Sequence, residues 1–238
     1  MEAHYKQRML CRAEECFRVL LDRRDQKLRE LSHLENHALN PLLDTHKSIY
    51  LFGDDTDENL ARSLIYPSII GTGLNTSFGD IIQKEYLVDF DNVNASGIKG
   101  LDIEFTHAIT KQHIYCQLKA GVNTINSGDV NPILEKFTKA IRLIRDNGGE
   151  AVPNERFIVG VFSGQYERRN GNYKRIEQKS THRVLVGQDF WEAVTGDKLF
   201  YSDLAAVLTN FQRAHSNSAS KVERAIKALA AEIKKSRR

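Results

Sequence analysis

The sequence predicts an α/β (α+β) fold in which helices flank a small central mixed sheet. Amphipathic helical patterns frame the chain at both ends, and residues 100–121 read as two short strands joined by a polar turn. Residues 156–163 form an almost uninterrupted apolar run of strand length, which is typical of a strand buried on both faces. Because the helical patterns segregate from these few strands, we expect one α/β domain over residues 1–238.

The composition is that of an ordinary globular protein. The 238 residues carry a formal net charge of +3, which is compatible with a polyanionic partner but does not require one. The three cysteines lack CxxC spacing, which argues against a disulfide framework and against a zinc site. We find no apolar run long enough for a membrane span and no signal peptide, so we expect a reducing, cytoplasmic setting.

The N-terminal third is predicted to be helical. Residues 3–34 carry apolar side chains at helical spacing, which favours a packing helix and leaves a dimerisation arm as the alternative. Asn40-Pro41 is predicted to end that region, and Thr56 to cap a second helix that Pro67 interrupts. The glycine-rich segment that follows lacks the ending of a phosphate loop, so it predicts a turn before a helix capped by Ser77.

The later elements follow in chain order. Asn131-Pro132 predicts the start of a helix that stops at residues 147–149. Asn170-Gly171, in a basic segment, is a type I′ turn candidate. After these we expect a strand at 184–186, helices at 189–194 and 202–213, and a last helix with the capping box Ser220-x-x-Glu223.

The predicted hairpin over residues 100–121 carries the chemistry. Side chains alternate between the two faces of a strand, so an apolar set is expected on one face: Leu101, Ile103, Phe105, Ile114, Cys116 and Leu118. The other face then collects a polar set: Asp102, Glu104, Gln117 and Lys119. Carboxylate and amide oxygens suit Mg²⁺, and an ammonium group stabilises a reacting phosphate. The spacing alone fits equally well a solvated strand face with salt bridges to Lys111 or Lys119.

The layout of Asp102 followed by Gln117-Leu118-Lys119 resembles the PD-(D/E)XK nuclease superfamily and, within it, Type II restriction endonucleases. Four further segments share the resemblance: Ser77-Phe78-Gly79, Lys119-Ala120-Gly121, residues 157–164 (FIVGVFSG) and residues 187–191 (GQDFW). Together they cover about residues 73–196, and the pattern is most similar to enzymes that cut GGNCC-centred palindromes.

The resemblance implies Mg²⁺-dependent cleavage of double-stranded DNA by a homodimer, and we expect a prokaryotic cytoplasmic setting. Because water would attack opposite the 3′-oxygen leaving group, we expect products with 5′-phosphate ends. Asp102, Glu104 and Gln117 would hold the ion, and Lys119 would position the attacking water and stabilise the phosphate. The core would span residues 73–196, between a helical N-terminal arm (1–45) and C-terminal helices (197–238).

Two residues depart from the pattern of this superfamily. Leu101 replaces the usual proline, and Gln117 replaces the second acid. Glu104 or Glu85 would have to compensate for Gln117, and strand alternation favours Glu104. If neither does, the alternative function is a catalytically inactive, sequence-specific DNA-binding protein on the same fold.

Residues 165–179 form a basic segment that could contact DNA. Arginine can read guanine and asparagine can read adenine, and basic side chains also neutralise phosphates. The candidate DNA-binding residues are Arg168, Arg169, Asn170, Asn172, Lys174 and Arg175. A solvated hairpin explains the segment equally well.

Overall fold

The computed structural model describes residues 1–215 and 218–237, and its strands form one mixed sheet of order β1-β2-β3-β4-β5. The strands are β1 Val93–Ala95, β2 Ile103–Thr106, β3 His113–Lys119, β4 Phe157–Val161 and β5 Val184–Val186. The first three pair antiparallel, whereas β3, β4 and β5 pair parallel. The predicted fold class, a mixed sheet flanked by helices, is therefore confirmed.

The helices are α1 Ala3–Leu31, α2 Pro41–Phe52, α3 Asp57–Ile70, α4 Thr72–Ile81, α5 Val130–Asp146, α6 Gly171–Lys179, α7 Gln188–Thr195, α8 Phe200–Ala214 and α9 Ser218–Ser236. The chain divides into two compact units. The first comprises Met1–Cys16 and Gly79–Leu208, and the second comprises Phe17–Phe78 and the described residues from Thr209 onward. The single nuclease domain with internal boundaries at residues 45, 73 and 196 stays a prediction.

In the first unit, apolar side chains cover both faces of the sheet. On one face α5 and α6 pack against β4 and β5 around a buried cluster that includes Phe137, Phe157, Val159 and Tyr173. On the other face the Phe105 ring meets Phe190 of α7 edge to face, with centroids 6.3 Å apart. Leu101 belongs to the cluster of α5, so it does not share the face of Phe105 as predicted. Leu101 precedes β2, and strand alternation does not apply to it.

The centre of β4 requires a glycine. A Cβ atom on Gly160 would lie 2.7 Å from Cys116 Sγ and 2.7 Å from a ring carbon of Phe190. We therefore expect Gly160→Ala to lower the free energy of unfolding by about 1–3 kcal/mol, the usual effect of overpacking a core. Chemical denaturation measures this change, and Gly171→Ala is the control because its Cβ would meet nothing within 4 Å. Equal midpoints for the two variants would contradict the prediction.

The second unit has its own apolar core, built from the C-terminal part of α1 with α3 and α9. Its buried residues are Leu28, Leu31, Leu60, Ala61, Ile65, Ala225, Ile226, Leu229 and Ile233. By contrast, α2 leaves large apolar side chains exposed, among them Leu42 at 88 % and Tyr50 at 80 %. Among the described residues, no helix is both long and apolar enough to cross a membrane.

Several predicted boundaries in the N-terminal part are wrong, and local capping explains the first. Asn40 begins a helix rather than ending one, because its Oδ1 accepts from the backbone N–H of Leu43 at 3.1 Å and Pro41 occupies the first turn. Thr56 caps α3 as predicted, but the helix continues through Pro67 to Ile70. The predicted turn after Pro67 is helical as well, since α4 begins at Thr72 and contains Ser77.

Two later boundary predictions are also corrected. Asn170-Gly171 is not a type I′ turn, because Asn170 Oδ1 accepts from the backbone N–H groups of Asn172 and Tyr173 and so caps α6. Ser220 lies within α9, which begins at Ser218, and is not its cap. Asparagine and serine favour both turns and helix starts, so the sequence signal was ambiguous at these positions.

Candidate active site

The carboxylate of Asp102 is the centre of the candidate site. The residue precedes β2, and its backbone N–H donates to the Cys116 carbonyl at 3.0 Å, which places Asp102 opposite Gln117. Its Oδ2 accepts from the Gln117 side-chain NH₂ and, at 2.6 Å, from the backbone N–H of Leu118. Its Oδ1 accepts from Gln83 Nε2 at 3.2 Å. Each carboxylate oxygen has more than one lone pair, so Oδ1 can coordinate a cation while it accepts the hydrogen bond from Gln83.

Gln83 is a member of the site that the sequence reasoning missed. It lies in a π-helical turn, Ile82–Tyr86, which continues α4. Such turns are rare and occur frequently at functional sites because they redirect side chains. Glu85, considered above as a substitute for the missing acid, belongs to the same turn and is half-buried. No periodicity in the sequence indicates a π-helical turn, so the sequence could not predict that Gln83 contacts Asp102.

Gln117 connects Asp102 to a lysine of α5. Only 5 % of Gln117 is exposed, and its Oε1 accepts from Lys136 Nζ at 3.3 Å while its Nε2 donates to Asp102. A carboxylate only accepts and an ammonium group only donates, so these two partners fix which way the amide points. Lys136 is the second residue that the sequence reasoning missed, because it comes from an element outside the hairpin.

Lys119 ends β3 on the same face as Gln117. The Asp102–Cys116 backbone hydrogen bond continues the antiparallel register by one residue, so Asp102, Gln117 and Lys119 lie on one face of the sheet, while their roles stay predictions. Lys119 is half-buried. Within the described part of the chain, its ammonium group makes no hydrogen bond or ion pair with another residue. It therefore presents a positive charge that an incoming phosphate could meet.

Glu104 has a different environment. Its Oε1 accepts from Ser96 Oγ at 2.6 Å and from the Gly97 backbone N–H at 3.2 Å, and its Oε2 contacts His113 Nε2 at 2.9 Å. It shares none of these partners with Asp102. The contacts favour a role in holding the loop after β1, and the metal-binding role of Glu104 stays a prediction.

Glu104→Gln separates these two roles. The amide keeps an acceptor for Ser96 and Gly97 but removes the negative charge. We expect the Mg²⁺ concentration for half-maximal DNA cleavage to change by less than about threefold, because the contacts of Glu104 are with Ser96, Gly97 and His113 and none is shared with Asp102. Titrating Mg²⁺ in a plasmid cleavage assay gives this value. A shift of about tenfold or more, equivalent to about 1.4 kcal/mol, would instead support Glu104 as a ligand.

Two other features singled out from the sequence lie outside the contacts of Asp102: the thiol of Cys116 and the basic segment over residues 165–179. Cys116 lies on the buried face, as predicted, and burial raises the pKa of its thiol, which disfavours the thiolate form. Arg169 pairs with Glu177 at 2.9 Å and stacks over Tyr166, and the side chains of Asn170 and Asn172 donate to the Ile125 carbonyl. The exposed members of the predicted set are Arg168, Lys174 and Arg175.

Comparison with known protein families identifies the chain. The sequence model of the Type II restriction endonuclease EcoO109I family matches residues 15–217, far more than half of the chain. The chain belongs to this restriction endonuclease family. No curated protein matches the sequence. The matched range contains the five described strands of this restriction endonuclease and the residues of its candidate site.

The donor set determines which metal the endonuclease could hold. Within residues 1–215 and 218–237, no group of three or more His, Cys, Asp or Glu side chains is arranged to bind a metal. The site instead offers one carboxylate, from Asp102, because the amide of Gln117 turns its NH₂ group toward that carboxylate and its oxygen toward Lys136. Mg²⁺ commonly takes one or two carboxylates and completes its shell with water and substrate phosphates. The residues therefore fit a Mg²⁺ ion that DNA helps to bind, and they do not fit an all-protein metal cage.

Proposed function

We propose that this restriction endonuclease hydrolyses phosphodiester bonds in duplex DNA at a short palindrome, GGNCC-centred by resemblance, with Mg²⁺ and as a homodimer on a PD-(D/E)XK core. The observation that carries the proposal is the shared face of Asp102, Gln117 and Lys119 on neighbouring strands. The Asp102 carboxylate and the Lys119 ammonium group, which has no hydrogen-bond or ion-pair partner among the described residues, are the two kinds of group that phosphate chemistry needs.

The roles of the residues follow from their chemistry. Asp102 would hold the ion through its carboxylate. The amide oxygen of Gln117 would be a second, weaker ligand only after the amide turns over, because its NH₂ group faces Asp102 in this structure. When bound, Mg²⁺ neutralises charge on the scissile phosphate and acidifies a water molecule. Lys119 would hold the attacking water and stabilise the charge that develops on the phosphate. The water attacks opposite the departing 3′ oxygen, so the 5′ end of each product keeps the phosphate.

The proposed partner and assembly follow from the substrate. A palindrome has two-fold symmetry, so two copies of the chain related by a two-fold axis can place one site on each strand. The exposed Arg168, Lys174 and Arg175 supply positive charge for the DNA backbone. Sedimentation of the protein with a palindromic duplex tests the stoichiometry, for which we expect two chains per duplex.

Digestion of a sequenced plasmid tests the reaction. We expect discrete fragments in Mg²⁺ and none in EDTA, with ends that T4 DNA ligase joins without prior kinase treatment because they carry 5′-phosphates. Mapping the fragment ends gives the recognition sequence. Ends that carry 3′-phosphate would exclude this mechanism.

Gln117 favours one alternative function. Where the superfamily has an acid, this chain turns an NH₂ group toward Asp102, so the protein contributes less negative charge to a cation. A sequence-specific DNA-binding protein that does not cleave is therefore the second candidate. It predicts a gel shift on a defined duplex but an intact plasmid after prolonged incubation with Mg²⁺.

A further inference from the structure

The inference concerns Lys136, which no part of the proposed reaction uses. Lys136 lies on α5 next to Phe137, which is fully buried in the core against the sheet. The position of α5 is therefore fixed by packing. The stem of Lys136 lies against Gly100, because a Cβ atom there would stand 3.3 Å from Lys136 Cγ. Gly100 has a φ of +99°, which only glycine adopts readily.

The ammonium group of Lys136 is connected to Asp102 by two hydrogen bonds through the side-chain amide of Gln117. Lys136 Nζ donates to Gln117 Oε1 at 3.3 Å, and Gln117 Nε2 donates to Asp102 Oδ2. If the amide turned over, its NH₂ would face an ammonium group and its oxygen would face a carboxylate, and both contacts would be repulsive. Lys136 therefore holds the amide in the one orientation that points its oxygen away from Asp102.

The groove beside Lys136 carries positive charge. A groove of about 470 Å³ between α5 and the loop before β2 is lined by Ile98, Lys99, Gly100, Lys136, Lys139, Ala140 and Leu143. The lining contains three lysines and no acid. The positive charge of Lys136 would therefore repel a divalent cation at Asp102. Such a cation could bind the oxygen of Gln117 only if the amide left Lys136 and turned over.

We propose that Lys136 is a positioning residue that weakens cation binding at Asp102, because it holds Gln117 with its NH₂ group toward that carboxylate. The inference rests on the proposed cation site. Its consequence is that cation binding requires the phosphate oxygens of DNA, which supply the negative charge that the protein withholds. The free enzyme then binds Mg²⁺ weakly, and the ion enters together with the substrate.

Cation binding without DNA tests this role in the full-length protein. The variants are Lys136→Met, which keeps the aliphatic stem against Gly100, and Lys139→Met, which removes an equal charge from the same groove but has no bond to Gln117. Electron paramagnetic resonance measures the concentration of free Mn²⁺, from which the dissociation constant follows. We expect Lys136→Met to bind Mn²⁺ about tenfold more tightly than the wild type, because the variant removes the ammonium group that holds the Gln117 amide and that would repel a cation at Asp102. Lys139→Met should stay within about twofold of the wild type, because screening by solvent weakens more distant charges.

A second readout reports on the amide without any metal. The side-chain NH₂ resonance of Gln117, assigned by its absence in Gln117→Ala, should shift in Lys136→Met and stay in place in Lys139→Met. A structural role alone would lower the melting temperature of Lys136→Met without tightening cation binding.

The outcomes separate the two proposals. If Asp102→Asn abolishes Mn²⁺ binding but Lys136→Met binds like the wild type or more weakly, the role of Lys136 is overturned and the cation site stands. If Asp102→Asn binds Mn²⁺ as well as the wild type, the proposed site itself is wrong and this inference is overturned with it.

Discussion

Replacement of Lys119 with alanine is expected to abolish DNA cleavage while DNA binding survives. The ammonium group of Lys119 has no hydrogen-bond or ion-pair partner within the described part of the chain, so its charge is available to the reacting phosphate. Loss of one such charge-stabilising group typically lowers the rate by about 10²–10³, or about 3–4 kcal/mol. Single-turnover cleavage of a plasmid measures the rate, and a gel shift in Ca²⁺ measures binding.

A matched control shows that the effect of Lys119→Ala is local. Lys227 is exposed on α9 in the second unit, far along the chain from the site, and Lys227→Ala removes the same charge. We expect wild-type cleavage from Lys227→Ala. Wild-type cleavage from Lys119→Ala as well would show that Lys119 has no part in the chemistry.

Replacement of Asp102 with asparagine is expected to have an effect at least as large. The substitution preserves the shape of the side chain and one acceptor for the Leu118 backbone N–H but removes the carboxylate that Gln117 contacts. Without that charge the site retains only amide oxygens for Mg²⁺, which prefers carboxylates. We expect cleavage to fall by about 10³ or more, because charge stabilisation by the ion and activation of water are lost together.

The measurement for Asp102→Asn must separate lost chemistry from lost folding. Circular dichroism reports the melting temperature, and single-turnover cleavage over a wide range of Mg²⁺ concentrations reports the chemistry. Asp80→Asn is the control, since Asp80 is a partly exposed acid that pairs with Lys84 on the surface. If high Mg²⁺ restores Asp102→Asn to the wild-type rate, Asp102 contributes affinity for the ion and nothing further to the reaction.

The sheet and its polar face could be predicted because they follow from local pattern. Alternation of apolar and polar residues along β3 placed Gln117 and Lys119 on one face, and the structure has them there. The fully apolar run at β4 required a strand with both faces covered. Leu101 shows the limit of this reasoning, because it lies just before β2 and packs with the opposite face.

Helix-capping residues in the sequence predicted several helices, but they did not always predict the residue at which a helix begins. Thr56 is a helix cap, as predicted. Asn40 and Asn170 are also helix caps, although the sequence predicts the end of a helical region at Asn40 and a turn at Asn170. An asparagine side chain satisfies a helix N-terminus or a tight turn with similar hydrogen bonds, and what packs against the following residues decides between them.

The sequence by itself determined the fold class and placed Asp102, Gln117 and Lys119 on one face, because strand alternation is a property of the local backbone. Only the tertiary structure decided what surrounds them. Gln83 and Lys136 reach the site from a π-turn and from α5, and they lie 19 residues from Asp102 and from Gln117 respectively along the chain. Such contacts depend on how helices pack against the sheet, and that packing is set by the whole core rather than by any local spacing.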